Sequence, residues 1–194
     1  MMSDFAKMSG WQTPDVQPHE VIRAAGYAVM LASAAAAILP ATNFENGPMI
    51  VGGLMFIVGL FEVLANLLRT TGKRAGAAAG AASVAAGVLI FAQPASSFVT
   101  TVYVFMGWLL VRGLLLGISA IENVGPIRRA VTMAAALDFI LAAVVWTGLT
   151  ASTLVIALFG PTKPIIADFA WLIAISFVGS GLLLVKLSNE QCGT

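Results

Sequence analysis

Six apolar stretches, each long enough to cross a bilayer, leave this 194-residue chain few folds to choose from. They run at about Val21 to Leu39, Met49 to Leu68, Ala75 to Ala92, Val99 to Ile121, Ala130 to Thr147 and Ile165 to Lys186. A helix rising about 1.5 Å per residue needs about 20 residues to cross ~30 Å of hydrocarbon. Backbone amides find no water there, so each span must satisfy its own hydrogen bonds and be helical. A β-barrel would need alternating strands of about ten residues, and runs such as ASAAAAIL show no alternation. Charged residues make up 10% of the chain, where soluble domains carry about 25%.

The turns between the spans are of two kinds. Residues 41–48 (ATNFENGP) and 93–97 (QPASS) are polar, with proline or glycine, whereas 69–74 (RTTGKR) and 122–129 (ENVGPIRR) are basic. Lys7, Arg23, Arg69, Lys73, Arg74, Arg128, Arg129 and Lys186 all fall on one side of a six-span topology, and Lys163 stands alone on the other. By the positive-inside rule both termini are expected in the cytoplasm.

A second regularity is internal. Displaced by 54 residues, Gly26 falls on Gly80, Pro40 on Pro94, Gly53 on Gly107 and Gly59 on Gly113. A fixed period of this kind marks a repeated supersecondary unit. The expected fold is thus an all-α integral membrane protein, a six-helix transmembrane bundle of three tandem hairpins, with units at 21–74, 75–129 and 130–187. Each unit has an even number of spans, so the repeats are parallel, unlike the inverted repeats of many secondary transporters. The third unit keeps the offset at Ala134 but needs a further 12 residues to bring Gly179 under Gly113. The extra length lies within 148–164 (GLTASTLVIALFGPTKP), which reads as an extension of the fifth helix or an interfacial half-turn. Residues 188–194 are expected to form a short C-terminal tail.

Residues 1–20 are polar and lack the basic-then-apolar layout of a cleavable signal. Met1, Phe5, Met8 and Gln12 fall at helical spacing, so this segment reads either as a short interfacial helix or as an unstructured tail.

Small residues mark the expected packing faces, because lipid is as apolar as a neighbouring helix and close backbone approach drives association. Gly52 and Gly59 lie seven apart on the second span. Gly76, Gly80, Ser83 and Gly87 step by four, three and four on the third. Gly113 and Gly117 form a GxxxG on the fourth. These seams serve either packing within the bundle or contact with another molecule.

The chemistry on offer is sparse. The single histidine, His19, lies outside the spans, so no imidazole can ligate haem or chlorophyll within the bilayer. The single cysteine, Cys192, can form no intrachain disulfide. No phosphate-binding glycine loop, GxSxG elbow or HExxH motif is present, and a net charge of +1 suggests no nucleic-acid partner. No enzyme activity, metal or cofactor is expected. What remains are ionisable residues in apolar helices: Glu62, Arg112, Asp138 and, near the outer end of the sixth span, Asp168. Glu62, Arg112 and Asp138 lie at a similar depth from the basic turns. A charge there costs at least ~2.5 kcal/mol, so each needs a partner or water. The expected pairing is Arg112 with Asp138, leaving Glu62 neutral or facing water. Alternatively Glu62 and Asp138 form a proton-responsive pair, or Arg112 snorkels to the headgroups.

Together these features resemble the HdeD family, bacterial inner-membrane proteins named for acid resistance. The resemblance covers about Gly26 to Leu187. It rests on the three-hairpin order, the turns LPATNF and AQPASSF, the glycine-spaced spans GGLMFIVGLFEVLANLLR and MGWLLVRGLLLGISAIEN, and the stretch AALDFILAAVVW containing Asp138. The longer third-unit loop and the N-terminal extension depart from the family pattern. The resemblance implies a multi-pass protein of the bacterial inner membrane connected with acid or envelope stress. Three roles follow as expectations: a stand-alone stress protein whose carboxylates sense protons, an accessory subunit of a larger energy-converting or photosynthetic complex, and a small-solute or proton pathway. The expected partners are membrane lipids, with a larger complex or a second copy as further options.

Overall fold

The computed structural model describes residues 17–38, 47–69, 71–92, 98–159 and 169–192. They form six helices, α1 (Pro18–Ile38), α2 (Gly47–Leu67), α3 (Lys73–Ala92), α4 (Phe98–Glu122), α5 (Gly125–Phe159) and α6 (Phe169–Cys192), and no strand. All six are long and apolar enough to cross a membrane. The tail 1–16 and Asp168 lie outside the described residues.

The helices begin where local chemistry favours it. Pro18 opens α1, where its fixed φ suits the first turn and its missing N–H is not needed, and Glu20 sits in that turn against the positive end of the helix dipole. The two basic turns each contain a glycine in the left-handed region, Gly72 at φ 63° and Gly125 at φ 61°. A side chain at either would be strained, and this conformation lets the chain reverse in a few residues.

α5 is the one helix whose length departs from the expected span. It continues unbroken from Gly125 to Phe159, 35 residues, so the first part of 148–164 is a helical extension. At about 1.5 Å per residue that is roughly 50 Å, longer than the hydrocarbon core. No proline falls between Pro126 and Pro161, which allows the helix to continue past Gly148.

Neighbouring helices pack in a ring, α1 to α6 in order, closed by α6 against α1. The most extensive contacts join α2 to α3, α1 to α6 and α4 to α5, while α5 and α6 touch least among neighbours. The tightest pairs therefore meet across the basic turns and at the ring closure, not within the hairpins delimited at 21–74, 75–129 and 130–187. Glycines explain this. A Cβ at Gly59 would lie 2.6 Å from Val84 N and 2.8 Å from Gly80 O, and one at Gly52 2.9 Å from Gly87 O, so α2 and α3 touch backbone to backbone. Gly87 faces Phe56 N in the same seam. The α1–α6 crossing has its own close approach, Gly26 against Gly181, which the sequence reading did not single out as a seam.

Gly117 departs from expectation. Among the described residues nothing lies within 4 Å of where its Cβ would be, so Gly117 packs against none of the described helices. The residue that meets α5 is Gly113, whose Cβ would lie 3.3 Å from Asp138 Cβ and 3.4 Å from Ala135 O. Four residues on, the α4 surface has turned to an open position, and no neighbour follows it.

The surface is unlike that of a soluble domain, while the core is largely apolar, with Val29, Met55, Phe105, Leu109 and Phe177 buried together. Leu31, Leu64, Leu89, Leu114, Ile140 and Leu182, one on each helix, are more than half exposed. Glu62, Arg112, Asp138, Ser83, Ser176 and Ser180 are buried. An apolar rim, with the few charged side chains enclosed in an apolar core, suits a solvent of lipid.

Candidate functional site: one arginine between two carboxylates

The interior is organised by Arg112, which is 2% exposed and reaches the middle of the ring from α4. Its Nη2 donates to Glu62 Oε1 on α2 at 2.7 Å, and its Nη1 donates to Asp138 on α5 at 2.7 Å (Oδ2) and 3.0 Å (Oδ1). α6 supplies Ser176 and Ser180, one turn apart and so on one face. Nη1 donates to Ser176 Oγ at 2.6 Å and Nη2 to Ser180 Oγ. Ser176 Oγ in turn donates to Asp138 Oδ1 at 2.7 Å, while Ser180 Oγ donates to the backbone carbonyl of Ser176 at 3.2 Å. Four helices thus hold one guanidinium, through charge-assisted bonds of the strong kind.

α3 contributes from the far side of Glu62. Ser83 Oγ lies 3.4 Å from Glu62 Oε2, and Trp108 Nε1 donates to Ser83 Oγ at 3.0 Å. Trp108 precedes Arg112 by one turn and presents its ring 5.6 Å from the guanidinium carbon, with Phe177 edge-on at 5.8 Å. These rings cover the cluster on the side away from the basic turns and add a cation–π contact. Small residues make the room: a Cβ at Gly80 would lie 3.0 Å from Glu62 Cβ. The glycine seams and the charged cluster are one construction, since close helix approach is what brings these short carboxylates to the arginine.

On the side toward the basic turns lies a second polar layer. Asn66, one turn from Glu62, donates to Glu62 O at 2.8 Å, and its Oδ1 accepts from Arg69 Nη1 at 2.7 Å. Arg69 Nη2 donates to Asn123 Oδ1 at 3.3 Å, and Thr71 Oγ1 donates to the same oxygen at 2.9 Å. Asn123 Nδ2 donates to Ser119 O at 2.6 Å, and Ser119 Oγ to Gly72 O at 3.3 Å. The α2–α3 turn is thereby tied to the α4–α5 turn. Burial pushes the Arg69 guanidinium below its usual range. Gly76 is required here, because a Cβ there would overlap Asn66 Oδ1.

Between the layers is a cavity of about 20 Å³ lined by Glu62, Asn66, Gly76, Arg112 and Ser180 among others, space for a single water. Arg112 Nε is the one buried side-chain polar atom without a partner among the described residues.

The structure brings Glu62, Arg112 and Asp138 together and leaves Asp168 outside what is described. The expected Arg112–Asp138 pair is present. The expectation that Glu62 faces water is corrected: it is 4% exposed and bonded to the same arginine, because Gly80 lets α3 close over it. Arg112 does not snorkel; with two carboxylates in reach it is held inside. Sequence reasoning missed Ser176, Ser180, Trp108 and the Arg69–Asn123 link. Two signals were available: serines four apart in an apolar span, and Arg69 and Asn123 standing 54 residues apart, at the repeat distance.

With both acids ionised, the cluster holds one more negative charge than positive. A buried excess charge is costly, and uptake of a single proton removes it. That proton is the simplest chemistry this arrangement can perform. Among the described residues no three His, Cys, Asp or Glu side chains are grouped to hold a metal ion. Compared with family profiles, curated proteins and solved structures, the chain matches none.

Proposed function

We propose that this chain is a non-enzymatic, HdeD-like protein of the bacterial inner membrane that acts in acid or envelope stress by taking up a proton at the Glu62–Arg112–Asp138 cluster. The observation that carries the reading is that two carboxyl groups share one guanidinium, all three buried among apolar helices. Proton uptake changes the bonds that join α2, α4, α5 and α6, so a change in acidity becomes a change in helix packing.

The polar layer Asn66–Arg69–Asn123 extends from the basic turns toward the small cavity beside Glu62, so the polar approach to the cluster lies on that side. Trp108 and Phe177 close the other side. In the proposed orientation, with both termini and the basic turns cytoplasmic, the cluster responds to the pH of the cytoplasm. The HdeD-like motifs and the basic turns support that placement.

The test is acid survival of bacterial cells expressing the protein or its single amide variants, Glu62→Gln and Asp138→Asn. The wild type is expected to raise survival, and each variant to lose the effect while remaining in the membrane at the wild-type level. Full protection by both variants would refute proton uptake at this cluster, and no protection by the wild type would refute the stress role.

A further inference from the structure

The loosest neighbouring contact in the ring, α5 against α6, leaves a cleft on the outer surface at the end of the bundle that carries the basic turns. Its volume is about 530 Å³. Met133, Leu137, Gly179 and Leu182 are among the residues that line it, and Arg129 and Lys186 stand at its polar end. Neither cation forms an ion pair or a hydrogen bond among the described residues. The nearest acid on the same helix, Glu190, lies one turn beyond Lys186 and is not within ion-pair distance.

We infer that this cleft binds an anionic phospholipid, its phosphate between Arg129 and Lys186 and an acyl chain along the apolar wall. Three observations converge. First, Arg129 is four residues into α5 and Lys186 six residues before the end of α6. At the helical rise these are ~6 and ~9 Å from the helix ends, the level of lipid phosphates beside the hydrocarbon. Second, two cations on separate helices line one opening with no carboxylate among the described residues within ion-pair distance, and a phosphate is the anion present at that depth. Third, the wall below them is apolar and opens sideways on the lipid-facing surface, where an acyl chain is the molecule available to cover it. A free phosphate would meet the cations and leave the wall uncovered. A zwitterionic lipid would cover the wall and present an ammonium to the cations.

Native mass spectrometry of the full chain in mild detergent, with phosphatidylglycerol or phosphatidylethanolamine added at equal concentration, tests this. The protein is expected to retain phosphatidylglycerol at least tenfold more than phosphatidylethanolamine. The double variant Arg129→Gln with Lys186→Gln should lose most of that preference, whereas Lys73→Gln with Arg74→Gln, on another turn, should keep it. Inorganic phosphate at millimolar concentration should not displace the lipid; displacement would mean that the cations bind a free anion and the groove contributes nothing. Equal retention of the two lipids, or an undiminished preference in the Arg129/Lys186 variant, would overturn the proposal. The Lys73/Arg74 variant losing the preference equally would reduce it to general surface charge and overturn it as well. All three proteins should melt within a few degrees of each other, since the substituted side chains make no bond among the described residues.

Discussion

Glu62 on α2 and Asp138 on α5 never touch each other, yet they share one guanidinium: Arg112 Nη2 binds the first and Nη1 the second, each at 2.7 Å. That sharing makes the effects of substitution non-additive. Glu62→Gln or Asp138→Asn alone leaves a neutral pair of one carboxylate and one arginine, so each should shift stability by less than about 1.5 kcal/mol. The double amide variant leaves Arg112 charged and buried without a counter-ion and should cost about 3–5 kcal/mol. A double-mutant cycle on melting in detergent reads the difference; additive effects would mean the acids do not share the arginine.

Removing the cation should be worse than removing the whole cluster. Arg112→Leu leaves two buried carboxylates facing a gap, whereas replacing Glu62, Arg112 and Asp138 together with leucine or methionine leaves an apolar interior. The single variant is expected to be less stable than the triple one by about 3 kcal/mol, and so to melt lower. Thermal unfolding of the two proteins side by side checks the order.

The seam glycines and Gly117 should part company. Gly59→Ala drives a Cβ to 2.6 Å from a backbone nitrogen of α3, so the helices must separate, at a cost of about 1–3 kcal/mol. Gly117→Ala meets nothing within 4 Å and gains helix propensity, so it should be neutral or stabilising by up to about 1 kcal/mol. Equal destabilisation by both would place Gly117 in a contact outside this chain, such as a second copy.

How far the sequence reached can be seen in these same residues. The six spans were legible because lipid leaves the backbone one solution, and span length and hydropathy report it directly. That Arg112 would seek Asp138 was legible from sign and depth alone. The position of Glu62 was not, because it depends on which way α2 and α3 rotate about their glycine seam, and spacing along one helix does not encode the rotation of its neighbour. The same holds for Gly117, a GxxxG member by sequence that the path of α5 leaves uncovered. Serines carry little weight in any apolar span until the structure shows two of them, Ser176 and Ser180, on one guanidinium.

The two left-handed glycines offer a matched comparison. Both should resist substitution by alanine through backbone strain of about 1–2 kcal/mol. At Gly125 nothing else is in the way, whereas a Cβ at Gly72 would lie 2.6 Å from Asn123 Nδ2 and 2.7 Å from Ser119 Oγ. Gly72→Ala should therefore cost more than Gly125→Ala and loosen the bond between the two basic turns. Hydrogen exchange at residues 119–125 reads that loosening, and equal protection in the two variants would show that the turns are held by something else.

The last prediction separates the cluster's role in acid response from its role in holding the bundle. Ser176→Ala removes a hydroxyl that accepts from Arg112 and donates to Asp138, yet leaves every charge in place. A bond to a charged group is worth about 1.5–3 kcal/mol, so this variant should lower the melting point clearly. Glu62→Gln, by contrast, removes the excess negative charge and should alter stability little. If the cluster serves only to join helices, acid survival will follow stability, and Ser176→Ala will be the more impaired of the two. If the cluster works by accepting a proton, the order reverses: Glu62→Gln loses protection at near-normal stability, and Ser176→Ala keeps it for as long as the bundle stays folded. Survival at acidic pH and melting measured on the same two variants give opposite rankings in the second case and the same ranking in the first.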